Sequence, residues 1–118
     1  YIVKGGRLPG WVKKVADFLH IRPVLSTKDN GSMGASGVVR ETSNLPKGMS
    51  KFVLGKMDEN KSYNVSIGHC NTLKDGEKLM ELIQEGHKEI NSIYLMNIGC
   101  ALGVHAGPGG LAVALQPV

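Results

Sequence analysis

Residues 63–69 read Tyr-Asn-Val-Ser-Ile-Gly-His, so apolar and small or polar side chains alternate along the stretch. A period of two is the pattern of a β-strand with one buried face. Thr72 and Asp75 follow with the spacing of a helix capping box, and leucine and isoleucine at 79–83 then supply an apolar helix face. A strand that leads into an amphipathic helix predicts a helix layer on a sheet.

The remaining elements are predicted outward from this unit. Their positions, in chain order, are a helix over residues 11–19, strands over 21–26 and 33–40 around the hairpin signal Asn30-Gly31, a helix from the Asn44 cap through Pro46 to about Lys56, and strands over 93–98 and 111–115. This order predicts an α/β (α+β) fold in which a mixed β-sheet is covered by about three helices. Residues 1–118 are predicted to form a single domain.

Charge and hydropathy limit the classes of partner. The chain has 14 basic and 10 acidic residues, but the basic residues are scattered and few aromatics lie between them, so nucleic-acid binding is not expected. Residues 98–115 carry no charge and approach the length of a membrane span. Their glycines, together with His105 and Pro108, would interrupt a helix, so we predict buried strands joined by a turn and no integral membrane segment.

The cysteines and the motif content indicate neither a metal nor a catalytic centre. Cys70 and Cys100 stand far apart without a Cys-x-x-Cys pair, so we expect free thiols in a reducing cytoplasm and no metal site. His69 adjoins Cys70, but the pair is more typical of the end of a buried strand. The chain lacks the nucleotide-binding and hydrolase motifs, so we predict no catalytic residue, no cofactor and no enzymatic activity.

Two glycine-rich loops are the candidate ligand sites. Residues 4–10 contain Arg7, whose planar guanidinium can donate to a carboxylate or a phosphate, although a solvated loop arginine is the alternative. Residues 103–110 contain His105 in an uncharged, apolar segment, where an imidazole needs a ligand or an internal partner. Glycine loses more backbone freedom on folding than other residues, so it is expected where the chain turns sharply or approaches a ligand.

These two loops resemble motifs of the DegV family. Residues 1–8 resemble the family's tyrosine-leucine-x-lysine-glycine-glycine-arginine-isoleucine stretch, and residues 21–25 resemble its isoleucine-lysine-proline-isoleucine-leucine strand. Residues 103–110 resemble its glycine-x-histidine-threonine-glycine-proline-glycine motif. The order and spacing fit along essentially the whole chain, which therefore resembles the second, carboxyl-terminal domain of a DegV protein.

The resemblance implies a function in lipid binding. DegV proteins enclose a long-chain fatty acid between two domains and present it to a separate fatty acid kinase subunit. By position, Arg7 and His105 correspond to family residues that hold the carboxylate head group of the fatty acid. Gly6 and Gly107 lie close to them in the sequence. Because the chain begins at Tyr1 without an initiator methionine and Gly5-Gly6-Arg7 follow after only three more residues, we expect an N-terminal domain to be missing from it. The partners implied are therefore the fatty acid, the kinase subunit and that missing domain.

The resemblance also has departures and open alternatives. Ala106 replaces the usual threonine, which puts the affinity and the type of ligand in question. Met33, Leu102, Val104 and Leu111 are candidates for the tunnel wall, with ordinary core positions as the alternative. A kinase-docking role for Arg40 and Lys47 has an exposed basic surface as its alternative. Two other functions stay open: a phosphoryl-ligand-binding or regulatory domain, and a structural subunit-contact domain.

Overall fold

The computed structural model describes residues 22–39, 43–99 and 108–118. Within these ranges the chain forms strands β1 (Arg22–Thr27), β2 (Met33–Val39), β3 (Tyr63–His69), β4 (Ile90–Asn97) and β5 (Leu111–Pro117), and helices α1 (Leu45–Lys56) and α2 (Leu73–Gly86). This confirms the mixed α/β fold and, from residue 22 onward, the predicted order of elements. The helix predicted over residues 11–19 lies outside the described residues, and β4 begins three residues earlier than the predicted start at position 93.

Strands β1 and β2 form an antiparallel hairpin that turns at Asn30-Gly31, as predicted. Gly31 has a φ of +83°, which glycine adopts without the steric cost that a Cβ imposes. The turn is closed by the Lys28 amide, which donates to the Ser32 carbonyl at 2.7 Å, while the Asn30 side chain accepts from the Ser32 amide at 3.0 Å. The hairpin is therefore specified by local sequence.

The other three strands form a second, mixed sheet in the order β4-β3-β5. Strand β3 pairs parallel with β4 through the α2 crossover and antiparallel with β5. Parallel neighbours need such a crossover, whereas the hairpin closes on itself through a short turn. The predicted mixed sheet is thus present, with the β1-β2 hairpin standing as a separate two-stranded sheet.

The two described helices begin in different ways. Asn44 caps α1, since its side-chain oxygen accepts from the Lys47 amide at 3.4 Å, and a proline stands in the first turn as predicted. The predicted capping box at α2 is wrong. The Thr72 hydroxyl donates to the Asp75 carboxylate at 2.6 Å, and the Thr72 amide, which a box would pair with that carboxylate, donates instead to His69 Nδ1 at 3.2 Å.

The core lies between the helices and one face of the three-stranded sheet. Its fully buried side chains come from β3 and α2: Val65, Ile67, Leu79 and Ile83. At Gly76 of α2, a Cβ would lie 2.8 Å from Leu95 Cδ1, so this glycine lets the helix approach β4 closely. The Asn64 amide group bridges the strands on the opposite face, where it donates to Gln116 Oε1 at 3.1 Å.

We predict that Tyr63→Phe destabilises the protein by about 1 kcal/mol. The Tyr63 ring is buried, and its hydroxyl accepts from the Asp58 amide at 2.8 Å, so phenylalanine leaves that donor without its acceptor. Urea unfolding of the full-length protein measures the change. The control is Tyr94→Phe, whose ring is 61% exposed and whose replacement is expected to cost less than about 0.5 kcal/mol. Equal losses in the two variants would contradict the prediction.

Candidate functional site at the carboxyl end of strand β3

The carboxyl end of β3 holds both flanks of the glycine-rich segment that connects β4 to β5. On the β4 side, the Ile98 amide donates to the His69 carbonyl at 2.9 Å. On the β5 side, the Cys70 amide donates to the Gly110 carbonyl at 2.9 Å, and the Gly109 amide donates to the Cys70 carbonyl at 2.8 Å. Two consecutive residues therefore fix where the segment leaves one strand and enters the other.

Two residues in left-handed backbone conformations adjoin these hydrogen bonds. Gly109 has a φ of +85°, a region that residues with a Cβ rarely occupy. Asn71 has a φ of +53° and lies between β3 and α2. Asparagine is among the residues that tolerate this conformation best. The glycines of this loop predicted a sharp turn of the chain, and Gly109 forms such a turn.

His69 is the last residue of β3 and Cys70 follows it, so the pair marks the end of a buried strand, as the sequence indicated. The His69 side chain is 5% exposed, and the Cys70 thiol is free and half-buried. Over the part of the chain that the structure describes, no three His, Cys, Asp or Glu side chains come close enough together to hold a metal ion. Neither of the described helices is long and apolar enough to cross a membrane.

An apolar groove of about 340 Å³ lies between the β1-β2 hairpin, α1 and β5, which is an edge strand of the three-stranded sheet. Most of its lining is apolar, and the residues are Val24, Leu25, Ser26, Ser36, Met49, Phe52, Val53, Lys56, Val113 and Leu115. The Lys56 ammonium lies 5.4 Å from the centre of the Phe52 ring. This volume is at the lower end of the range for small-molecule sites, which are typically apolar with a few polar groups.

Strand β5 connects the groove to the glycine turn. Leu111, Val113 and Leu115 alternate along β5 and therefore share one face of the sheet. Val113 and Leu115 line the groove, and all three residues pack against the core cluster. Leu111 pairs with His69 and directly follows the Gly109-Gly110 turn. Sequence reasoning did not single out Val113 or Leu115 as lining residues, because an alternating strand looks the same whether its apolar face meets a core or a groove.

The predicted ligand residues themselves, Arg7, His105, Gly6 and Gly107, lie outside the described residues. Among the wall candidates, Leu102 and Val104 also lie outside them, and for Met33 only the backbone is described. Lys47 is exposed on α1, and its amide donates to the N-cap side chain. The structure therefore describes the strand ends that flank the His105 loop and the groove along β5.

The matching family model covers residues 1–118 and carries the description "Uncharacterised protein, DegV family". The chain belongs to the DegV family. It is 29% identical over 116 residues to a DegV domain-containing protein of Clostridium perfringens, a match that covers 98% of this chain and 41% of the relative. The resemblance seen in the two glycine-rich loops is confirmed over the whole length of the chain.

Solved DegV structures have the same fold. The fatty acid binding DegV family protein of Streptococcus agalactiae is 26% identical with a TM-score of 0.77, and the match covers 99% of this chain and 41% of that protein. A stearic acid-binding protein of Eubacterium ventriosum is 27% identical with a TM-score of 0.71, covering 96% of this chain and 40% of that protein. This DegV chain thus spans about two fifths of the length of these relatives.

Proposed function

We propose that this DegV chain binds a long-chain fatty acid and supplies part of the apolar wall and part of the head-group site of a fatty-acid carrier. The observation that carries the proposal is the apolar groove lined by Val113 and Leu115 of β5, the strand that begins directly after the Gly109-Gly110 turn. The fatty acid and stearic acid binding of the two solved relatives supports it. The proposal places the tail in the groove and the carboxylate beyond the turn.

The groove suits the hydrocarbon tail. Burial of an acyl chain contributes about 0.8 kcal/mol for each methylene removed from water, so a few methylenes within the groove supply several kcal/mol of binding free energy. Phe52, Met49 and Val53 of α1 face the β5 residues across it. The groove volume of about 340 Å³ leaves room for only part of a long chain, so the rest of the tail would extend into the remainder of the longer protein.

The head group is assigned to Arg7 and His105, with Gly6 and Gly107 allowing the backbone to approach it. A carboxylate removed from water needs charge-assisted donors, which guanidinium and imidazolium groups provide. His105 precedes Pro108 by three positions, a span of at most about 11 Å. The proposal therefore places His105 near the turn that precedes β5. Hydroxyl donors would come from the domain that the longer relatives have in addition.

The carrier would act without catalysing a reaction. In this proposal the protein, located in the cytoplasm, presents the bound fatty acid to a separate kinase subunit, which phosphorylates the carboxylate. Arg40 and Lys47 are proposed contacts for that subunit. The glycine turn favours this arrangement, since a head group held at a loop can be reached by a second protein while the tail stays enclosed.

Denaturing mass spectrometry of organic extracts from the purified full-length protein tests the proposal. Stoichiometric long-chain fatty acid is the expected result. If the protein is stripped, incubated with fatty acids and still retains none, the proposal is wrong.

We predict that Val113→Phe lowers retention of long-chain fatty acid about tenfold, which corresponds to the loss of about two methylenes' worth of buried tail. The larger ring occupies the groove that Val113 lines. Ala114→Phe is the matched control, because Ala114 is the next residue of β5 and its exposed side chain points to the other face of the sheet. Equal retention by the two variants, with unfolding midpoints unchanged, would exclude the groove as the tail site.

A further inference from the structure

We infer that His69 is a positioning residue for the head-group end of the site, acting through its Nδ1 atom. The inference rests on the proposed function and goes beyond it, since His69 is assigned no contact with the fatty acid. The side chain lies at the end of the central strand β3, directly before Cys70, the residue whose backbone is paired with Gly109 and Gly110. An interaction that holds His69 in place therefore also holds the Gly109-Gly110 turn in place.

The His69 ring joins the end of β3 to the first turn of α2. Its Nδ1 accepts from the Thr72 amide at 3.2 Å, and ring atom Cδ2 lies 3.5 Å from the position that a Cβ on Gly76 would occupy. The side chain is 5% exposed, so water does not readily replace this acceptor. The ring thereby holds the tight connection that contains Asn71, a residue with a φ of +53°.

The same connection determines where the backbone of Cys70 lies. The Cys70 amide and carbonyl pair with the Gly110 carbonyl and the Gly109 amide, in the turn directly before β5. On the other side of β3, the His69 carbonyl accepts from the Ile98 amide. Because these bonds come from two consecutive residues, a shift of the β3 end moves both flanks of the loop that contains His105. A head-group site on that loop needs both flanks in place.

Asparagine and glutamine substitutions separate the two nitrogens of the ring. In His69→Asn, the side-chain oxygen can take the place of Nδ1 and accept from the Thr72 amide. In His69→Gln, the side-chain end lies near the position of Nε2, so the Nδ1 contact is lost. We expect His69→Ala and His69→Gln to lower fatty-acid retention by the full-length protein about tenfold, and His69→Asn to stay within about threefold of the wild type.

A second buried histidine provides the matched control. His87 is 7% exposed, and its Nε2 donates to the Lys61 carbonyl at 2.8 Å near the start of β3. His87→Ala removes a comparable side chain and hydrogen bond at the opposite end of the strand, so it should reduce stability without reducing retention. If His87→Ala lowers retention as much as His69→Ala, or if His69→Gln retains fatty acid as well as His69→Asn, the inference is wrong.

Amide hydrogen exchange distinguishes failure of this inference from failure of the proposed function. In the ligand-stripped protein, His69→Ala and His69→Gln are expected to speed exchange of the Gly109 and Cys70 amides about tenfold or more, while His69→Asn leaves both rates near wild type. Unchanged exchange in all three variants would overturn the positioning role even if the wild type carries fatty acid. Faster exchange in a protein that never retains fatty acid would instead contradict the proposed function.

Discussion

The double variant Arg7→Ala, His105→Ala is expected to retain less than about a hundredth of the fatty acid that the wild-type protein carries. Each hydrogen bond to a charged group contributes about 1.5–3 kcal/mol, so the loss of two would remove about 3–6 kcal/mol of binding free energy. Each 1.4 kcal/mol corresponds to a factor of about ten in affinity. The double variant therefore has the largest effect expected of any change in the site.

Retention is measured by mass spectrometry of extracts after the stripped full-length protein has been incubated with a limiting concentration of fatty acid. The matched control is Lys78→Ala, His87→Ala, which also removes one basic side chain and one histidine. Lys78 lies on the exposed face of α2, and His87 lies at the far end of β3 from the glycine turn. Wild-type retention by the Arg7, His105 variant would show that these residues do not hold the head group.

Replacement of Ile67 by alanine is expected to lower the free energy of unfolding by about 2–5 kcal/mol. Ile67 lies in the middle of the central strand β3, is 0% exposed and belongs to the core cluster beneath both helices. The substitution removes buried methyl groups and leaves a cavity that the surrounding strands and helices can fill only in part. A domain of this size has only about 5–15 kcal/mol of total stability, so the loss is a large share of it.

Urea unfolding of the full-length protein, followed at two wavelengths, gives the free energy change. Ser66→Ala is the control, because Ser66 is the preceding residue of the same strand and its half-buried side chain points to the opposite face. Its replacement is expected to change the stability by less than about 1 kcal/mol. A loss below about 1 kcal/mol for Ile67→Ala would mean that the core is centred elsewhere.

Local features of the fold were predictable from the sequence. The alternation over 63–69 predicted β3, Asn30-Gly31 predicted the hairpin, and Asn44 followed by a proline predicted the start of α1. Each of these signals depends on neighbours within a few positions along the chain. Gly109 is a further example, because the glycines of its loop predicted a sharp turn and its φ of +85° forms one. The family resemblance also came from local motifs, and the family model confirms it.

The start of α2 shows where local reasoning fails. Thr72 and Asp75 have the spacing of a capping box, but the Thr72 amide donates to His69, a side chain held in place by the strand before it. Asp75 then accepts from the Thr72 hydroxyl instead. The outcome depends on the close packing of the His69 ring beneath the helix at Gly76, which is a property of the folded layers.

The sequence by itself determined the class of the fold, the positions of the described strands and helices to within three residues, and the family, because periodicity, turns and caps are short-range properties of the chain. Tertiary structure alone decided that the hairpin stands apart from the β4-β3-β5 sheet and that an apolar groove lies between them. It also decided that His69 and Cys70 hold the flanks of the glycine loop. These features join residues that are distant in sequence, and only packing of the folded chain brings them together.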